Sequence, residues 1–152
     1  MKRILKCWLY IFLVLQLFSC KRESIISEPK INITLWNKPL STIRNNIQGD
    51  WNFIKYTGGF ADVVQYVNNG ELYISGDTVR WWMENHTLEA DTIITWIRAK
   101  SGYFSDSTYL MYFPSIVGNG YMTRWTVNEI KNDTLITQDD AFDAAFYYFI
   151  KK

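Results

Sequence analysis

Three carboxylates stand close together near the end of this chain: Asp139, Asp140 and Asp143. Two carboxyl groups held roughly 5–10 Å apart can divide acid and base work on a glycosidic bond. Clustered carboxylates also suit calcium, but the spaced oxygen-ligand loop with its glycine is missing here. A solvated loop between two strands accounts for the cluster as it stands. The only histidine is His86, in a turn-like stretch between Asn85 and Thr87. One histidine without a nearby cysteine falls short of the three or four ligands that zinc takes. Any Ser-His-acid triad would depend on that one residue, and no Gly-x-Ser-x-Gly elbow occurs. Gly58-Gly59 and Gly118-Asn119-Gly120 lack the pattern of a phosphate-cradling loop. The chain is therefore expected not to be an enzyme, to hold no metal and to need no cofactor.

Binding is the stronger prospect, because the chain is rich in rings: 7 Trp, 10 Tyr and 9 Phe. Each ring buries a large apolar area, so a small domain can build a dense core from them. Trp51 with Phe53, Trp81 with Met83, and Tyr121 with Trp125 and Val127 fall at even spacings. Even spacing places each set on one face of a strand. These residues are candidates to point inward. They line a pocket for a small apolar ligand, or they fill the interior and leave none.

The chain begins with a basic start, Met1 to Lys6, and an apolar run from Cys7 to Phe18 broken only by Gln16. A basic start, about 7–15 apolar residues and a small residue at the end form a secretory signal. Crossing a membrane takes about 20 apolar residues, and Lys21-Arg22-Glu23 ends this run early. Leu17, Ser19 and Cys20 resemble the lipobox of bacterial lipoproteins. That resemblance implies cleavage before Cys20 and a diacylglycerol on its thiol, usually with a third chain on the new amino terminus. One acyl chain binds a membrane marginally, whereas two or more anchor stably. Ordinary cleavage near Ser19 is the alternative, and it would leave a soluble periplasmic protein with a free thiol. On the lipobox reading the partner is the membrane, through acylated Cys20, and the location is the cell envelope, with the outer membrane favoured over the inner.

Loss of Lys2, Arg3 and Lys6 with the signal turns a formal charge of +1 into −2. No basic stripe remains, so a nucleic acid is not an expected partner. Cys7 also leaves, and an acylated Cys20 forms no disulfide. Packing alone must then stabilise one domain of ordinary size.

Residues 20–39 are polar, contain Pro29 and Pro39, and read as a tether. As a flexible coil such a stretch spans on the order of 25 Å, and Leu35-Trp36 is apolar enough to fold back on the domain. Leu40, Ile43 and Ile47 are spaced by three and four, which predicts one or two helical turns. Beyond Gln48 the chain alternates like strands. Runs begin at Trp51, Glu71, Thr78, Thr92, Ser107, Tyr121, Thr134 and Ala144, and turns fall at Gly76-Asp77, Asn85-His86 and Asn132-Asp133. Short connections favour antiparallel neighbours. Closing the sheet would also hide edges that are this hydrophobic.

Ile47-Gln48-Gly49-Asp50-Trp51, entered from a helical turn, resembles the Gly-x-Trp opening of lipocalins. Asn132 to Leu135, Asp139-Asp140 and the strand Phe146 to Phe149 are similar to the closing strands of bacterial lipocalin-like domains. The resemblance implies an all-β, antiparallel, up-and-down, eight-stranded barrel over residues 40–152, following the signal at 1–19 and the tether at 20–39. It also implies a Trp packed at the closed end against a basic residue from a late strand, here Arg124 or Lys151. The expectation is a lipid-anchored protein that binds a small apolar ligand at the open end. Its rival is a structural or interaction protein with a filled barrel, meeting a partner through rings such as Tyr73, Trp82 or Tyr147.

Overall fold

The computed structural model of the chain describes residues 29–58, 63–102, 104, 106–116, 121–141 and 143–152. Among them the backbone forms β1 (Asn32–Thr34), α1 (Leu40–Ile47), β2 (Gly49–Gly58), β3 (Val63–Ser75) and β4 (Thr78–Trp82). A 3-10 turn (Glu84–His86), β5 (Leu88–Ile93), β6 (Thr95–Lys100) and β7 (Ser107–Pro114) come next. The chain ends with β8 (Met122–Lys131), β9 (Thr134–Asp139) and β10 (Ala145–Lys151). The strands form one sheet in the order β5-β4-β3-β2-β10-β9-β8-β7-β6, with β1 added against the last residues of β8. The neighbours pair antiparallel throughout.

The up-and-down topology is as expected, but the closed eight-stranded barrel is not. Ten strands form a sheet that curls through 244° and stays open. Two local causes separate ten from eight. Asn32–Thr34, within the stretch read as a tether, takes a place on β8, and Leu35 behind it is fully buried. The run from Thr92 to Ala99, read as one strand, changes partners at Ile94. Its first part pairs with β4 and its second with β7. One intervening residue is too few for a hairpin, whose shortest common loop has two. The chain therefore runs on in the same sense without reversing, and β5 and β6 become the two edges. Ile94 is buried at this corner, and its N–H goes to the Asp77 carbonyl (2.6 Å) rather than to a strand ladder.

The helix seals one end. Ile43 and Ile47 lie on its buried side, as their spacing requires. Gln48 ends it by donating to the Arg44 carbonyl (2.8 Å) and accepting from Gly76 N–H (2.7 Å). An orphan helix carbonyl and the β3–β4 turn are thus satisfied by one amide. Asp77 in that turn accepts from Arg44 (2.7 Å) and from the Trp96 indole (3.0 Å), which ties the helix and β6 to the turn. Gly49 follows at φ +114°, a conformation open to glycine. The chain then enters β2 with Trp51 beneath the helix.

Inside the curl the rings form one connected cluster. Phe53 packs on Phe149 at 4.9 Å and on Trp81 at 6.2 Å, and Trp125 meets Trp81 at 4.8 Å and Phe113 at 5.2 Å. Edge-on and tilted arrangements prevail, as ring quadrupoles favour. Bulges at Phe53/Lys55, Trp81/Trp82, Val127/Glu129 and Tyr148/Phe149 sharpen the bend. The first also resets the inside-outside phase of β2. Lys55, on the inward parity of Trp51 and Phe53, instead lies over the Tyr148 ring at 4.5 Å, and Tyr56 packs against the core.

Candidate functional site

The cluster does not fill the curl to its far end. Opposite the helix, a cavity of about 470 Å³ opens where β4 ends, β8 begins, β9 ends and β10 begins. Trp81, Trp125, Tyr147 and Asp139 form its aromatic and acidic wall, with Met122, Arg124 and Asp140 toward the rim. Register explains the assembly. Trp125 on β8 stands directly across from Asp139 on β9. Tyr147 on β10 stands across from Thr137, two residues from Asp139 on the same face. Trp81 comes from β4, on the other side of the curl.

Asp139 is the chemical centre. The Tyr147 hydroxyl donates to its Oδ2 at 3.0 Å. Burial raises the Asp139 pKa above the ordinary carboxylate value, opposed by hydrogen bonds from Tyr147, the Ala145 backbone and the Trp125 indole. The Trp125 contact is electrostatic rather than a formed bond, for its Nε1 has no partner within hydrogen-bond geometry. Burial, reinforced by the Asp139 charge, pushes the Tyr147 phenol up as well. The proton of this pair thus sits on the phenol, and the carboxylate is the acceptor. Trp81 Nε1 is also buried without an acceptor. The same is true of Thr126 Oγ1, Thr137 Oγ1 and Gln138 Nε2 on β8 and β9, so the two indoles are part of a buried polar layer and not groups that face the cavity.

Asp140 behaves differently from its neighbour. Its Oδ2 takes a 2.7 Å ion pair from Arg124, and its Oδ1 accepts from Gly102 N–H at 2.7 Å. Arg124 also donates to the Asp140 carbonyl at 2.9 Å. The third carboxylate, Asp143, is exposed. The acidic cluster therefore divides into a half-buried acceptor without a counter-charge, a buried carboxylate held in an ion pair and one surface charge. Among the described residues no group of three His, Cys, Asp or Glu could hold a metal ion, and His86 is exposed.

The other expected site residues fall in several places. Trp51 lies under the helix, where its indole donates to the Ile47 carbonyl (2.9 Å) and Lys151 sits over its ring at 5.2 Å. Of the two basic residues considered for that role, Lys151 takes it, while Arg124 lies at the cavity rim. Phe53 is buried in the ring cluster, and Met83 is half-buried against it. Tyr121 is 77% exposed. Of the seven inward-facing candidates, Trp81 and Trp125 line the cavity, and Val127 is buried in the core. Tyr73 and Trp82, considered as partner-facing rings, are half-buried, and Tyr147 belongs to the cavity. Cys20 lies outside the described residues. The residues that alternation alone did not single out are Asp139 and Tyr147 as a pair. The available signal was the inward face of Trp125, which carries across the ladder to Asp139.

The fold and the cavity together define an all-β, strongly curled antiparallel domain of the barrel-like class, with a packed aromatic interior and one polar-aromatic recess. No family model matches the chain, and neither does any curated protein or solved structure. Among the described residues no helix is long and apolar enough to cross a membrane.

Proposed function

We propose that this chain is a lipid-anchored protein of the cell envelope whose lipocalin-like domain binds a small molecule and does no chemistry on it. The observation that carries the binding is one open cavity walled by Trp81, Trp125 and Tyr147 that holds the Asp139 carboxylate without a counter-charge among the described residues. A cavity of this size lies within the roughly 300–1,000 Å³ of small-molecule sites. Rings supply the apolar surface expected from the sequence, and the carboxylate adds a polar requirement that a purely apolar ligand does not meet. The anchor rests on Leu17, Ser19 and Cys20, and the outer membrane is favoured over the inner. The absence of a basic stripe argues against nucleic acid.

The second reading is an interaction protein with a filled interior. Val63, Val64, Tyr66, Ile116, Tyr121 and Met122 are exposed, and exposed apolar surface of this kind can meet a partner. Native mass spectrometry of the protein purified from its own envelope in detergent separates the two. A small molecule that travels with the folded chain and is released on unfolding supports the binding module. A clean mass with no adduct, together with a protein cross-linked in the membrane, replaces it with the second reading.

A further inference from the structure

We infer that the cavity takes a small organic cation, a protonated amine. The inference rests on the binding reading and specifies the ligand's charge. Asp139 is a half-buried carboxylate whose donors, the Tyr147 hydroxyl and the Ala145 N–H, are neutral. The ion pairs among the described residues join Arg44 to Asp77, Arg80 to Asp91, Arg124 to Asp140 and Lys152 to Glu71. None reaches Asp139, and Arg124, the cation nearest in the lining, is held twice by Asp140. A buried charge without a counter-charge is unfavourable, and a cation placed beside it removes that penalty.

The walls favour the same occupant. Trp81, Trp125 and Tyr147 all line the recess and lie 4.8–6.1 Å from one another, centroid to centroid. Aromatic faces attract ammonium groups, most strongly where water is excluded. An anion would face Asp139, whose charge Arg124, taken by Asp140, does not offset. A hydrocarbon would desolvate Asp139 further. An amine answers the carboxylate directly.

Three probes of one shape separate charge from fit: 2-phenoxyethylamine, 2-phenoxyethanol and phenoxyacetate. They are titrated into the full-length chain in non-ionic detergent micelles, with the indole N–H signals of Trp81 and Trp125 followed by NMR and those of Trp51 and Trp96 as controls. The amine is expected to shift the two cavity indoles saturably and to bind about tenfold more tightly than the alcohol. Asp139→Asn is expected to erase that difference while the control indoles stay in place. If the alcohol or phenoxyacetate binds as well as the amine, the cation is excluded and the binding module survives. If no probe moves either indole, the inference falls, and the wider reading is decided by the native mass spectrum. The comparison of probes on the unaltered chain holds even if Asp139→Asn does not fold.

Discussion

At the scale of single residues, Asp139 is the most consequential position. Its pKa is raised in the folded state, so it binds a proton more tightly there than in the unfolded chain. By linkage its contribution to stability is fully present below the unfolded value of 3.8 and is lost as pH rises through the folded value. Ionised Asp139 is thus a strain on the fold at neutral pH. The charged and titratable groups around it are Tyr147 and Tyr56 behind it and the Arg124–Asp140 pair at the rim. Asp139→Asn should therefore raise the denaturant midpoint at pH 7, and this advantage should shrink toward pH 4. The amide still accepts through Oδ1, and Tyr147 can turn its hydroxyl to accept from the new NH₂. Equal midpoints across that range would show that Asp139 is not desolvated in solution. A reader of the sequence sees the carboxylate but not this situation. Asp139 and Asp140 are adjacent and identical, and only the register of β9 against β8, with the strand ending between them, gives them opposite roles.

At the scale of elements, the bends depend on close backbone approach. Gly70 is buried in β3, and an added Cβ would lie 2.7 Å from Val67 Cγ1 and 3.0 Å from the Phe53 side chain. Phe53 anchors the ring cluster, so neither neighbour can withdraw freely. Gly70→Ala should cost about 1–3 kcal/mol of unfolding free energy by overpacking, measured by urea denaturation. A neutral result would mean that β2 and β3 can separate at the bulge. Most elements were legible in the sequence. The helix followed from Leu40, Ile43 and Ile47, and β4 from Val79, Trp81 and Met83. Asn132 and Asp133, both at positive φ, make the tight turn their residue types suggested. The corner at Ile94 was not legible, because β-branched residues run through it without a break, and a strand that exchanges neighbours looks the same as one that keeps them. Nor was β1, whose three residues gain their place from the free edge of β8 rather than from any pattern of their own.

At the scale of the molecule, the pairing of β2 with β10 joins the two halves of the sheet, and the ring cluster draws on both. Phe53 and Trp81 come from one half, and Phe113, Trp125 and Phe149 from the other. No half has a core of its own, so the domain should unfold in one cooperative step. Tryptophan fluorescence and far-ultraviolet circular dichroism should then give coincident transitions. Separated midpoints would reveal two units divided at the β2–β10 pairing. The lateral gap between the edge strands β5 and β6 and the recess are separate features, for the recess lies at the end opposite the helix and draws on β4, β8, β9 and β10.

The chain joins this domain at a fixed point. Ile31 N–H bonds the Asp133 side chain at 2.8 Å, beside the turn that follows β8, at the same pole as the helix, Trp51 and Lys151. The cavity occupies the other pole. Anything that holds the chain upstream of Pro29 therefore grips it by the sealed pole and leaves the mouth pointing outward. On a bilayer, such a domain would stand like a cup on its base. If the proposed binding holds, the mouth would open to the surrounding water rather than sideways to the lipid.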